Sequence, residues 1–138
     1  MTKCEHLFVY GTLRPESRGA LGAVERARLA CEARYLGPAA TAGRLLDLGD
    51  YPGLADGPGL ADGPGLVRGG LYALAEPAKT LAWLDAYEGI TGAACDEYRR
   101  CQRTVTLSGG VTLLAWAYIC VRTAVGAPAI GSGDWLIR

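Results

Sequence analysis

Ser108-Gly109-Gly110 sits between two runs of strand-forming residues, 98–107 and 111–121. Glycines there supply the backbone freedom a tight hairpin needs, so this part of the chain is committed to an antiparallel strand pair. Another apolar run, Leu7-Phe8-Val9-Tyr10, stops at Gly11 and reads as a buried strand breaking into a turn at Tyr10-Gly11-Thr12-Leu13. Segments 41–48 and 67–74 also read as strands.

Two segments have helical character. Residues 20–34 are rich in Ala, Leu, Glu and Arg, all good helix formers. Residues 77–88 are bounded by Pro77, suited to a first turn, and by Gly89, suited to a C-terminal stop. The tail, 123–138, has little periodicity and is expected to pack back as irregular structure. Strands mixed with two helices and a late hairpin predict an α+β domain on a largely antiparallel, barrel-like sheet. With 138 residues, half of them apolar, the chain has enough for one core and too little for two ordinary domains, so 1–138 reads as a single domain.

The loop between 48 and 67 holds an internal duplication: Gly53-Leu54-Ala55-Asp56-Gly57-Pro58 recurs unchanged as Gly59-Leu60-Ala61-Asp62-Gly63-Pro64. Each copy ends in a turn-forming Asp-Gly-Pro, and two copies are far too few for a solenoid. The repeat reads as a tandem insertion lengthening a surface loop.

Composition excludes several classes of function. Fourteen basic residues balance fourteen acidic ones with no basic cluster, which argues against a nucleic-acid partner. No apolar run has the length of a signal region or a membrane span, so no membrane association and a cytoplasmic location are expected. The cysteines, Cys4, Cys31, Cys95, Cys101 and Cys120, are odd in number and scattered, an unpromising disulfide framework. His6 is the single histidine, just ahead of the first strand, so neither a metal site nor a Ser/His nucleophile system is well supplied.

Glu88 is the most informative side chain. Leu81, Leu84 and Glu88 stand at i, i+3 and i+7 and share one helix face, which should look inward. Partial desolvation and the negative end of the helix dipole both disfavour its ionised form and raise its pKa, as suits a group that exchanges protons near neutrality. The same position also suits a helix-end glutamate that reaches water or an arginine. Asp85, at the edge of the stripe, has nothing to separate it from a surface carboxylate. The Tyr10–Leu13 turn can gather backbone N–H groups into a receptor for a carboxylate or oxyanion, although such turns are commonly only turns. No Gly-Lys-Ser/Thr follows, so it is not a phosphate loop. Alternation puts Tyr98 and Arg100 on one strand face, where they either orient a ligand or cover a barrel mouth. Tyr118 has the sequence setting of a core aromatic.

Phe8-Val9-Tyr10-Gly11-Thr12-Leu13-Arg14, Asp50-Tyr51-Pro52-Gly53-Leu54, Gly69-Gly70-Leu71-Tyr72, Leu84-Asp85-Ala86-Tyr87-Glu88-Gly89 and Tyr98-Arg99-Arg100, in this order, resemble the γ-glutamylcyclotransferase-like family, which includes the AIG2-like proteins. Tyr118 and Ser132-Gly133-Asp134-Trp135 extend the resemblance over nearly the whole chain. It implies a mixed, largely antiparallel β-barrel with flanking helices whose mouth holds a glutamyl group. It also implies Glu88 as the catalytic acid/base, with the Tyr10, Gly11, Thr12 and Leu13 turn binding the glutamyl part and Tyr98 and Tyr118 lining the pocket. The implied reaction releases 5-oxoproline from a γ-glutamyl amide and needs no cofactor, because the attacking α-amine belongs to the substrate. A binding or regulatory domain using the same pocket is the alternative. The sequence is compatible with a monomer or a homodimer.

Overall fold

The computed structural model describes residues 4–56, 65–121 and 127–137. Its elements in chain order are β1 His6–Val9, α1 Ala23–Glu32, β2 Ala33–Ala42, β3 Arg44–Asp47, β4 Pro52–Ala55, β5 Leu66–Leu74, α2 Pro77–Tyr87, β6 Tyr98–Leu107 and β7 Thr112–Cys120. A 3₁₀ turn, Trp135–Ile137, follows. β1, β5, β2, β6 and β7 pair in that order and β7 returns to β1, closing a five-stranded barrel. β4 and then β3 extend the sheet outward from β7. The β1–β7 and β4–β7 pairs are parallel and the others antiparallel. The architecture is therefore the mixed, largely antiparallel barrel with two helices that the resemblance implies.

Period-two alternation builds two apolar layers. Phe8 and Tyr10 enter the barrel with Leu71, Val105, Ala117 and Ile119. Leu7 and Val9 face the other way, sharing a second core with Leu29 of α1 and Leu81 and Leu84 of α2. Burying a leucine such as Leu84, fully inaccessible here, contributes roughly 2 kcal/mol, which fixes α2 against the barrel wall. Among the described residues no helix is long and apolar enough to cross a membrane.

The hairpin forms as its sequence predicts, with Tyr98 opposite Cys120 and Thr106 opposite Thr112. Three other readings are corrected. The helix expected over 20–34 stops at Glu32, and its last residues open β2, a strand that the sequence reading does not begin until 41. Alanine-rich Ala33–Ala42 lacks strand-like alternation, and a bulge between Tyr35 and Gly37 breaks what there is; pairing with β5 along its length overrides propensity. The strand expected over 41–48 is divided at Gly43 between the end of β2 and β3. The first copy of the duplication is not simply a surface loop: Gly53, Leu54 and Ala55 lie in β4 and are buried, with Leu54 in register with Leu45 and Ile119. Docking between β3 and β7 supplies the packing that the composition of the repeat does not announce. The second copy, 59–64, lies outside the described residues.

The C-terminal segment is more ordered than its periodicity implies. Ala129 bridges to Leu46, and Trp135 is buried in the barrel core. Arg14, just past the first turn, donates to Asp134 at 2.7 Å, tying that segment to the site end of the barrel. Residues 122–126 lie outside the described residues.

Candidate active site

The end of α2 determines where Glu88 stands. Glu88 is the C-cap, its N–H still bonded to Leu84 O at 2.9 Å. Gly89 N–H then bonds to Ala86 O and Ile90 N–H to Asp85 O, with Gly89 at φ 74°. This pair of reversed bonds is the Schellman stop, and the left-handed residue it requires is the glycine. With Leu81 and Leu84 buried on the same face, the half-buried Glu88 joins the lining of a cavity of about 480 Å³. Burial, followed by the neighbouring carboxylates Glu97 and Asp85, raises its pKa to about 7. Among the described residues, no lysine or arginine forms an ion pair with it.

The strand-end turn lines the same cavity through Tyr10, Gly11, Thr12 and Leu13. Arg14 N–H closes it onto Gly11 O at 3.0 Å, and the Ser17 hydroxyl adds a second bond to that oxygen. Among the described residues the Thr12 and Leu13 amides have no acceptor, so the turn offers donors to a ligand. Arg26 holds Thr12 O at 2.7 Å, which pins the turn from outside. Gly11 has a packing reason as well: a Cβ there would come within 2.7 Å of Pro52 Cγ, so β4 closes over the turn only because the side chain is absent.

The three tyrosines singled out in the sequence, Tyr10, Tyr98 and Tyr118, all line the cavity, and each hydroxyl is engaged by protein. Tyr10 donates to Tyr118 O at 2.5 Å and accepts from Leu54 N–H at 3.2 Å, bridging β7 and β4 through the barrel interior. Tyr98 donates to Pro52 O at 2.7 Å. Tyr118 donates to Asp85 Oδ1 at 2.7 Å. Burial first, with nearby carboxylates adding, holds all three phenols well above their usual range, so they are neutral walls and struts.

Arg100 is not among the cavity-lining residues. Its guanidinium forks onto Asp85 at 2.8 and 3.3 Å and lies 4.3 Å from the centre of the Trp116 ring. The shared strand face predicted for Tyr98 and Arg100 thus leads Arg100 to the wall behind the cavity. Asp85, unremarkable in the sequence, is the hub that joins α2 to β6 and β7. Sequence reasoning also misses Tyr51, Tyr87 and Glu97, which line the cavity. Glu97 precedes the first residue of β6, so strand alternation says nothing about it. Tyr51 is visible only as part of Asp50-Tyr51-Pro52. Among the described residues no group of three or more His, Cys, Asp or Glu side chains is placed to hold a metal ion.

Fold and site together define a small-barrel protein with a carboxyl-bearing pocket where β1 and β7 end and β6 begins. The family model described as Gamma-glutamyl cyclotransferase, AIG2-like, matches residues 7–137, and the chain belongs to that family, whose general activity is cyclotransfer. A search of curated proteins finds no match. Among solved structures, an AIG2-like protein from Mus musculus is 22% identical with a TM-score of 0.67, over 94% of this chain and 88% of that one. The protein PH0828 of Pyrococcus horikoshii is 22% identical with a TM-score of 0.63, over the same shares of the two chains. YkqA of Bacillus subtilis is 23% identical with a TM-score of 0.66; it is matched over 96% of this chain, which spans 40% of YkqA. These likenesses establish the shared barrel.

Proposed function

We propose that the protein releases 5-oxoproline and a free amine or amino acid from a γ-glutamyl amide, with Glu88 as the general acid/base. The reading is supported above all by one observation: a half-buried carboxyl group with a pKa of about 7 shares its cavity with a turn of unpaired backbone amides. The α-carboxylate of the glutamyl part, or the oxyanion that develops at its γ-carbonyl, takes the amides of Thr12 and Leu13. Ionised Glu88 accepts a proton from the α-ammonium. The freed amine forms a bond to the γ-carbon, Glu88 returns its proton to the departing nitrogen as the amide C–N bond breaks, and the ring nitrogen's surplus proton passes by way of Glu88 to the released amine, which leaves as an ammonium. No water is consumed and no electrons are transferred, so no cofactor is called for.

Most of the rate on this account comes from holding the folded-back conformer, since well-oriented intramolecular reactions reach effective molarities on the order of 10⁵–10⁸ M. The neutral phenols of Tyr10, Tyr98 and Tyr118 serve by shape, walling the cavity against β4, β6 and β7. Five scattered cysteines suit a reducing compartment, and we place the reaction in the cytoplasm.

Incubation with a panel of γ-glutamyl amides, followed by mass spectrometry for 5-oxoproline, tests the proposal. Release from at least one member, absent in boiled protein, is the expected result. Tight binding of panel members with no release would replace the enzyme by a binding domain.

A further inference from the structure

The two amides of the strand-end turn that have no acceptor among the described residues, those of Thr12 and Leu13, each belong to a peptide whose oxygen is held by a donor. Gly11 O, in the peptide that carries the Thr12 N–H, accepts from the Arg14 amide at 3.0 Å and from the Ser17 hydroxyl at 2.9 Å. Thr12 O, in the peptide that carries the Leu13 N–H, accepts from the Arg26 guanidinium at 2.7 Å. In a trans peptide the oxygen and the N–H point in opposite directions, so fixing the oxygen aims the amide. A donor on the oxygen also polarises the unit and strengthens its N–H, and a charged donor does so most.

Helical spacing delivers Arg26 to this place. Gly22, Arg26 and Leu29 share one face of α1 at i, i+4 and i+7; Leu29 is buried in the second core and Gly22 lies against Thr12 and Tyr87. A second guanidinium nitrogen donates to Gly19 O at 3.0 Å, holding the fork between the turn and the approach to the helix. Among the described residues Arg26 forms no ion pair, whereas Arg14, next to the turn, is paired with Asp134 and Glu16. Arg26 is not a cavity-lining residue, and the lining contains no lysine, arginine or histidine. An anion seated on the turn therefore meets the charge of Arg26 through one peptide unit.

Resting on the cyclotransferase reading above, we propose that Arg26 is the positioning residue of the anion receptor: it aims the Leu13 amide and extends its charge, through the Thr12–Leu13 peptide, to a negative oxygen of the glutamyl group. That oxygen belongs to the α-carboxylate or to the γ-carbonyl as it becomes an oxyanion, and both present the same chemistry to the turn.

The test uses γ-glutamyl pentylamide and its α-carboxamide counterpart, which differ in the α-carboxylate alone. Binding is measured by calorimetry on Glu88→Gln protein, so that substrates persist, with and without Arg26→Gln; turnover is measured with Glu88 intact. If the anion is the α-carboxylate, Arg26→Gln weakens binding of the free acid about tenfold, the scale of one charge-assisted hydrogen bond, and leaves the carboxamide within about twofold. If it is the oxyanion, both affinities hold and kcat falls about tenfold. Arg26→Lys, which keeps the charge, should recover most of either loss. Affinities and kcat all within about twofold of the parent, or equal weakening of the two amides, would overturn the assignment, the latter by making Arg26 only a brace for the turn. A loss undiminished in Arg26→Lys would overturn it too. If Arg26→Gln does not fold, Arg26→Met, which keeps the apolar stem, is read in the same way. Selective loss of free-acid binding with no turnover by the wild type would uphold Arg26 and remove the cyclotransferase reading. Turnover and binding unaffected by Arg26→Gln would do the reverse, and failure to bind or turn over either amide would remove both.

Discussion

The Tyr118 hydroxyl donates to Asp85 at 2.7 Å, and the same carboxylate receives the Arg100 fork, so one residue of α2, a turn before its end, is locked to both strands of the hairpin. Because Glu88 lies three residues farther along that helix, the lock sets where its carboxyl group stands. Tyr118→Phe removes one bond and leaves the ion pair, and should lower unfolding stability by about 1 kcal/mol in a urea titration. Asp85→Ala strands Arg100 and Tyr118 together and should cost about 2 kcal/mol, discounted because both partners of the ion pair are about a quarter exposed.

Burial makes Glu88 a liability to folding at high pH. Its folded pKa of about 7 exceeds that of an unfolded glutamate, so the native state keeps a proton that the unfolded chain has released. Stability therefore falls as pH rises from about 4.5 to about 7, and the penalty persists above that window. Glu88→Gln should raise stability at pH 8 by on the order of 2 kcal/mol and leave it nearly unchanged at pH 4, as thermal melts at the two pH values will register.

Gly11→Ala tests the closure of β4 over the turn. The added methyl meets Pro52, whose carbonyl holds the Tyr98 hydroxyl, so relief requires moving β4. A loss of about 1–3 kcal/mol is expected, measured by denaturant unfolding, together with weaker ligand binding.

The Arg14–Asp134 pair ties the C-terminal segment to the site end of the barrel, with both side chains close to fully buried. Asp134→Ala leaves the guanidinium with Glu16 alone. The expected cost is about 3–5 kcal/mol, the range for a broken buried pair, and the shift of the thermal midpoint measures it.

What the sequence makes legible follows from where the physics is local. The hairpin around Ser108-Gly109-Gly110, the bounded helix ending at Glu88 and the first strand's break at Gly11 all depend on turn chemistry and short-range periodicity, and all three form where they are read. β2 and β4 are hidden because non-local pairing makes them: Ala33–Ala42 gains its conformation from β5, and Gly53-Leu54-Ala55 from β3 and β7. The same division runs through the site. The Leu81, Leu84 and Glu88 stripe is visible from helical spacing. Arg100 and Asp85 have each other as partners although they stand fifteen positions apart in the chain, a pairing that strand alternation does not disclose. Arg26 becomes informative only once its guanidinium is seen on Thr12 O.

Glu88 carries the account, and its pH dependence is part of the claim. Ionised Glu88 is the form that accepts the first proton, so kcat/KM of the wild type should rise with pH through about 7. Glu97 and Asp85 are the carboxylates that raise this value, and the Tyr10, Tyr98 and Tyr118 phenols stay neutral throughout. Glu97→Gln should accordingly move the rise to lower pH.

The most direct measurement is 5-oxoproline release by Glu88→Gln beside the wild type, on whichever γ-glutamyl amide the wild type turns over best, with substrate binding followed in parallel. Loss of about 10²–10⁴-fold in turnover with affinity preserved is the predicted result. Turnover within a few-fold of the wild type would contradict the account.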